Sequence, residues 1–268
     1  MLLDVIADSR RRYVYDVDAQ SYIEAAESAD GERLEDYVRI AINSFVVGCK
    51  LDASPVSGVS NWEAMSVFRL PGARSLVGSY KIGKGADPTG VNLVNADYSR
   101  TGGWLGNGTN KSLNTNRNNN ADPQDDFCMW FWLSEPSNGA ATHVLMGTAN
   151  NNGSSGITSQ IGSSRECRVR LRQNGAVGVS PLAYALNAGY RAGQRNSSSS
   201  IELRSDGATS TATATSQTAL NANIHVLSSG VANYSTARIA AYGIGRRIDN
   251  VLMESRVATY ISAIADLS

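Results

Sequence analysis

Charge is scarce in this chain. Only 18% of its 268 residues are Asp, Glu, Lys or Arg, and the 24 acidic and 24 basic side chains cancel. So sparse and balanced a charge lacks the basic excess on which phosphate-backbone binding depends, and nucleic acid is not an expected partner. Cysteine is scarce as well. Cys49, Cys128 and Cys167 stand far apart with no C-x-x-C spacing, a pattern of free thiols made in a reducing cytosol. The two histidines, His143 and His225, lack an H-x-x-x-H or cysteine companion, so each reads as a surface or core-edge residue. No apolar run approaches the roughly 18 to 20 residues that span a bilayer. The segment Met1–Asp8 is too short and too acidic for a signal peptide. The expectation is a soluble protein with no membrane insertion.

Catalytic parts are missing too. There is no Gly-x-Ser-x-Gly, and neither histidine has an evident Ser and Asp partner. A glycosidase needs two carboxylates across a cleft, yet Glu135, Glu166 and Glu202 are isolated, each near the end of a strand-like segment. The run Gly78–Gly85 approaches a phosphate-binding loop, but Gly85 stands where Ser or Thr should follow the lysine, and Pro88 comes soon after. The run Arg168-Val169-Arg170-Leu171-Arg172 is basic on one face and reads as the solvated side of a strand. The chain is therefore expected not to be an enzyme and to need no cofactor.

What the sequence does contain is a helical start and a long β-rich remainder. Asp18 is a candidate cap for a helix carrying Tyr22, Ile23 and Ala26, and Gly31 suits its end. A second helix follows, with Leu34, Tyr37, Val38, Ala41, Ile42 and Phe45 on one stripe, and a third is expected around Asn61–Leu70. The hairpin of the first two needs a partner surface to bury its stripe. Beyond Leu76, short apolar runs alternate with Gly, Asn, Ser and Thr. Strands are expected at Gly90–Val94, Phe127–Leu133, His143–Gly147, Gly156–Ile161, Cys167–Leu171, Ala188–Arg191, Ile201–Arg204, Ala208–Thr215, Asn223–Val226 and Ala237–Ile244. Asp206-Gly207 between alternating segments signals a tight hairpin. Asn114–Asp122, Ala149–Ser155 and Asn196–Ser200 read as loops, and an amphipathic helix runs over Ile248–Leu267. The division expected is a helical docking and oligomerisation region at 1–80 and a sandwich at 81–268.

Few residues are candidates for a site. Asp122, Asp125 and Asp126, beside Asn118–Asn120, offer oxygens to calcium, although such clusters also make turns. Trp104 is a candidate glycan contact. In Phe127-Cys128-Met129-Trp130-Phe131-Trp132, alternation puts Phe127, Met129 and Phe131 on one face and Cys128, Trp130 and Trp132 on the other. Such a strand is central, or its outer face meets another chain or domain; an exposed Trp that stacks on sugar is the alternative. Arg10, Arg11, Arg12, Tyr13 and Tyr15 belong to an arm that reads either as a frayed terminus or as a docking segment; in the second reading they form, with Tyr37 and Phe45, a candidate docking surface.

Two resemblances add to this. The order Ile201–Gly207, Ile224-His225-Val226, then Ala237–Ile244 running on through Ile264 resembles the laminin-G-type concanavalin A-like lectin sandwich over roughly residues 90–268. Ala41–Lys50, Ala96–Arg100, Asn116–Gln124 and Tyr234–Ala240 resemble segments of tailed-bacteriophage virion proteins. The first implies a mainly β fold, an antiparallel concanavalin A-like or jelly-roll sandwich with N-terminal helices and a C-terminal helix. The calcium-ligand arrangement of sugar-binding lectins does not map onto this sequence. The second resemblance implies a virion location and a structural role as a capsid- or tail-attached appendage. That appendage would be a homo-oligomer, by analogy a trimer, partnered by other virion proteins. A receptor- or glycan-binding module of the particle, contacting the host surface, is the alternative function.

Overall fold

The computed structural model describes residues 13–56, 58–137, 142–149, 153–160, 166–173, 187–230 and 232–266. Two antiparallel sheets face each other. The larger has eight strands, and seven of them lie in the order β12 (Ala208–Thr213), β11 (Ser200–Ser205), β10 (Gly189–Ser197), β6 (Phe127–Glu135), β14 (Arg238–Gly245), β4 (Gly103–Leu105) and β3 (Tyr98–Ser99). The eighth, β1 (Met65–Arg69), pairs with the far end of β14. The smaller sheet runs β2 (Thr89–Val91), β5 (Ser112–Asn118), β13 (Asn223–Val226), β7 (Thr142–Gly147), β8 (Ser154–Gln160) and β9 (Glu166–Gln173).

The period of two along β6 explains the layering. Phe127, Met129, Phe131 and Leu133 point between the sheets and join Leu145, Met146, Ile157, Val169 and Ile239 in the inter-sheet core. Cys128 and Trp130 point the other way, into a second core roofed by helices, and half-buried Trp132 packs against that core. The strand is apolar on both faces because it is covered on both. Trp130 lies over Gly243, its cross-strand partner, where a Cβ would strike the indole.

The roof comes from α1 (Val17–Asp30), α2 (Asp36–Leu51) and α5 (Asn250–Ala263), while α3 (Asn61–Ala64) and α4 (Leu76–Ser79) are single turns. Asp16, not Asp18, caps α1, accepting from the Asp18 N–H at 3.0 Å, and Gly31 ends the helix at φ 69°. The stripe of the helical hairpin finds its partner within the chain: Ile23, Val38, Ile42 and Val46 share a core with Trp130, Tyr190, Ala241, Met253 and Val257. Phe45 belongs there as well, 2% exposed and packed on Phe68 and Tyr260, so it cannot serve as a docking residue. The division at residue 80 does not describe this architecture, since β1 belongs to the sandwich and the helices to its outer core.

Two other expectations gave way to pairing. The helix predicted over 61–70 lasts one turn, held by a Ser60–Glu63 capping box, before Met65–Arg69 joins β14. The loop predicted over 114–122 is largely β5, whose Leu113 and Thr115 are buried while Asn116 takes φ 54°. The predicted hairpin is present, with Asp206 at φ 45° and Gly207 at φ 80° between β11 and β12. Arg172 departs from the solvated face assigned to it. At φ 52° it turns inward, fully buried, with its guanidinium 4.1 Å from the Phe127 ring centre.

A bidentate ion pair fastens the helical layer to the sheet edge. Arg100, just beyond β3, donates Nη1 and Nη2 to Glu35 Oε1 and Oε2 at 3.0 and 2.6 Å, and Nη2 also donates to the Gly72 carbonyl. This hydrogen bonding holds the Glu35 carboxyl at about 2, below the ordinary carboxylate range. On acidification the unfolded chain therefore takes up this proton first. The contribution, roughly 2 kcal/mol, is expected to be complete above about pH 4.5 and to fade as pH falls toward 2. Glu35→Gln should flatten that part of the pH–stability curve measured by urea unfolding; an unchanged curve would show that the pair contributes nothing.

Candidate functional site

On the outer face of the eight-stranded sheet lies a groove of about 460 Å³, lined by Trp132, Asn187, Ala188, Gly189, Tyr190, Asp206, Gly207, Glu254 and Ala258. Strand pairing creates its floor. Trp132 on β6 and Tyr190 on β10 are direct cross-strand partners, so both project toward the helical layer. Tyr190 is fully buried, stacked on Trp130 with ring centres 5.9 Å apart, and its hydroxyl donates to Asn250 Oδ1 at 2.9 Å. Trp132 is only half-buried.

The walls come from the hairpin turn and α5. Asp206 pairs with Arg191, and the missing side chain of Gly189 makes room for that carboxylate, since a Cβ there would overlap Asp206 Oδ1. Glu254, on the face of α5 toward the turn, accepts from the Gly207 N–H at 2.9 Å and from Arg204 Nε at 2.5 Å. The turn is thus clamped onto the helix. The half-buried Trp132, two partly exposed carboxylates and the exposed Asn187 make an amphipathic recess, with aromatic and hydroxyl-binding groups side by side.

The residues singled out from sequence lie elsewhere. Trp104 is 0% exposed, and its Nε1 donates to Ser79 Oγ at 3.0 Å, so it is a core residue and not a glycan contact. Asp122 is buried and accepts from Arg117 Nη2 at 2.6 Å and Ser66 Oγ at 2.8 Å. Asp126 accepts from Arg246 Nε at 2.6 Å and the Arg247 N–H at 2.8 Å. Burial alone would raise the Asp126 carboxyl; these donors outweigh it and lower it. Asp125 Oδ1 is buried without a hydrogen-bond partner among the described residues. The calcium reading of Asp122, Asp125 and Asp126 is therefore withdrawn, because guanidinium groups already occupy two of the three carboxylates. Among the described residues, no three His, Cys, Asp or Glu side chains gather as a metal site. Calcium and EDTA are expected to leave the melting temperature unchanged, as calorimetry can check; a calcium-dependent rise would restore the site.

Arg10, Arg11 and Arg12 lie outside the described residues. Tyr13 and Tyr37 are exposed, whereas half-buried Tyr15 lies under the Arg39 guanidinium, 5.0 Å from its ring centre. Lys84, of the phosphate-loop-like run, donates to the Trp62 carbonyl at 2.7 Å and sits over the Trp62 ring. The three cysteines are free and buried, and burial pushes the Cys167 thiol up to about 12. No helix among the described residues is long and apolar enough to cross a membrane.

Neither the protein-family models nor the curated proteins yield a match to the sequence. Solved structures do. Trypanosoma rangeli sialidase matches at 13% identity and a TM-score of 0.51, covering 86% of this chain and 38% of the sialidase. The same sialidase bound to 2,3-difluorosialic acid gives 14% identity and a TM-score of 0.50. Domain 4 of AbnA, an extracellular arabinanase from Geobacillus stearothermophilus, in complex with arabinotriose, gives 7% identity and 0.46, covering 72% of this chain and 98% of that domain. The likeness is one of fold. This chain is a mainly β, two-sheet antiparallel sandwich with N-terminal helices and a C-terminal helix, and it spans about two fifths of the sialidase's length.

Of the groove residues, sequence reasoning placed Trp132 on the correct face but preferred burial for it, and saw Asp206 only as a turn. Glu254 and Asn187 carried no signal, because only the fold brings the last helix beside the β11–β12 hairpin.

Proposed function

We propose that this chain is a carbohydrate-binding, lectin-like module that recognises its ligand without turning it over. The observation that carries the reading is the half-buried Trp132 lining a groove beside Asp206 and Glu254. A sugar ring has the matching chemistry, with an apolar face and hydroxyls around its rim. Titration calorimetry of the full chain against a panel of oligosaccharides tests it, with product chain length followed alongside. Saturable binding without shortening of the chains supports the reading. No binding to any member, or progressive shortening, overturns it.

The sequence segments that resemble phage proteins suggest a setting for such a module. We propose a homo-oligomeric, by analogy trimeric, appendage of a virion, made in the bacterial cytoplasm and docked on other particle proteins. The observation that favours this is the apolar surface left open at Tyr13, Val14 and Val17, with Tyr37 and Ile40 on α2; Val14 is 89% exposed. Deleting residues 1–15 should reduce incorporation into particles while the sandwich still melts cooperatively. Unchanged incorporation would remove the arm from the proposal.

A further inference from the structure

The groove's polar groups differ in sign between the surface and the layer behind it. Asp206 and Glu254 face the recess with side chains 34% and 18% exposed, whereas the cations that balance them, Arg191 and Arg204, are 0% and 9% exposed. Arg191 Nη1 is engaged by Asp206 and by the Tyr190 carbonyl, and its Nη2 by the Asn187 carbonyl. Arg204 donates to Glu254 and to Thr209 Oγ1. The Gly207 N–H, the backbone donor of the turn, is also held by Glu254. A ligand entering the groove therefore meets carboxylate oxygens and the Asn187 amide, with the guanidinium groups sealed behind the acids.

From this we infer that the groove selects neutral saccharides and rejects anionic ones such as sialic and uronic acids. The inference rests on the reading of the groove as a sugar site and goes further, to the class of sugar. Recognition of a ligand carboxylate calls for exposed guanidinium or N–H donors in a fork, and here the Arg191 and Arg204 guanidinium groups are buried behind the acids. A sugar carboxylate would instead stand beside the Asp206 and Glu254 oxygens, which lie in front of their guanidinium partners and, being acceptors only, offer it no hydrogen bond. Hydroxyl groups suit the same surface, because ionised carboxylates only accept and each sugar hydroxyl can donate.

The test is calorimetry on the full chain with matched probes: lactose against 3′-sialyllactose, and neutral pentose and hexose oligosaccharides against oligogalacturonate. The expected result is binding of neutral members at least about tenfold tighter than of their anionic counterparts. Asp206→Asn and Glu254→Gln should each narrow that ratio; asparagine also suits the positive φ of residue 206. Anionic sugars bound as well as or better than neutral ones would overturn the charge selection while leaving the sugar site standing. Binding of neither class would overturn the sugar site itself. A ratio untouched by both substitutions would show that the two carboxylates do not set it.

Discussion

Trp132→Ala is expected to weaken oligosaccharide binding by roughly 30-fold or more, the loss of about 2 kcal/mol that truncating a central aromatic contact produces. The reason is geometric. Trp132 is the aromatic lining residue that keeps some exposure, whereas Tyr190 beside it is fully buried and turns its hydroxyl toward Asn250. Trp132 also packs against the helical core, so the alanine variant should melt at a lower temperature. Trp132→Phe separates the two effects by keeping most of the packing and a smaller platform, with binding reduced only several-fold. Calorimetry of both variants, with thermal melts alongside, provides the check. A folded alanine variant with unchanged affinity would move the binding site elsewhere.

Arg195→Met is expected to destabilise the fold by about 3 to 5 kcal/mol, lowering the melting temperature by roughly 10 °C. Arg195 is fully buried on β10, and its hydrogen bonds go mainly to backbone carbonyls, with the Asp125 carboxylate acting on it only at longer range. Nε and Nη2 donate to the Leu171 carbonyl on β9 at 2.8 and 2.5 Å, and Nη1 to the Ser197 and Ala214 carbonyls at 3.0 and 2.9 Å. One guanidinium thus ties β10 to the β9 backbone of the other sheet and to the Ala214 carbonyl. Methionine fills much of the same volume but leaves those carbonyls without their donor. Burial lowers the guanidinium's affinity for its proton, though it stays charged at neutral pH. Urea unfolding of the variant measures the effect, and a loss below 1 kcal/mol would show that water replaces the lost donors.

What could be read from sequence was whatever local chemistry decides. Asp206-Gly207 reads as a hairpin because its two positive φ angles suit few other pairs, and Gly31 reads as a helix end for a similar reason. The two faces of Phe127–Trp132 follow from strand period alone. Non-local choices were hidden. Ser60 and Glu63 start a helix at 61, but β14 recruits Met65–Arg69 as a strand, and nothing within ten residues reports that pairing. Asparagines are poor strand residues, so β5 read as a loop until Leu113 and Thr115 were seen to face the core. Asp126 looked like a calcium ligand because Arg246 and Arg247, 120 or more positions away, do not show in a local reading; Arg117 stands only five positions from Asp122, but spacing alone does not reveal that the two pair.

The place of β14 has a consequence for synthesis. This strand pairs along one side with β6 and along the other with both β1 and β4, so it is the keystone of the larger sheet, yet it is the last strand to be translated. While a ribosome is still adding residues 238–245, β1 lacks its partner strand and one edge of β6 is unpaired. Closure of the larger sheet must therefore wait for residues 238–245 to emerge, with high contact order and slow assembly. A nascent chain stalled before Arg238 is expected to be captured by chaperones, and one stalled well beyond Gly245 to be released from them.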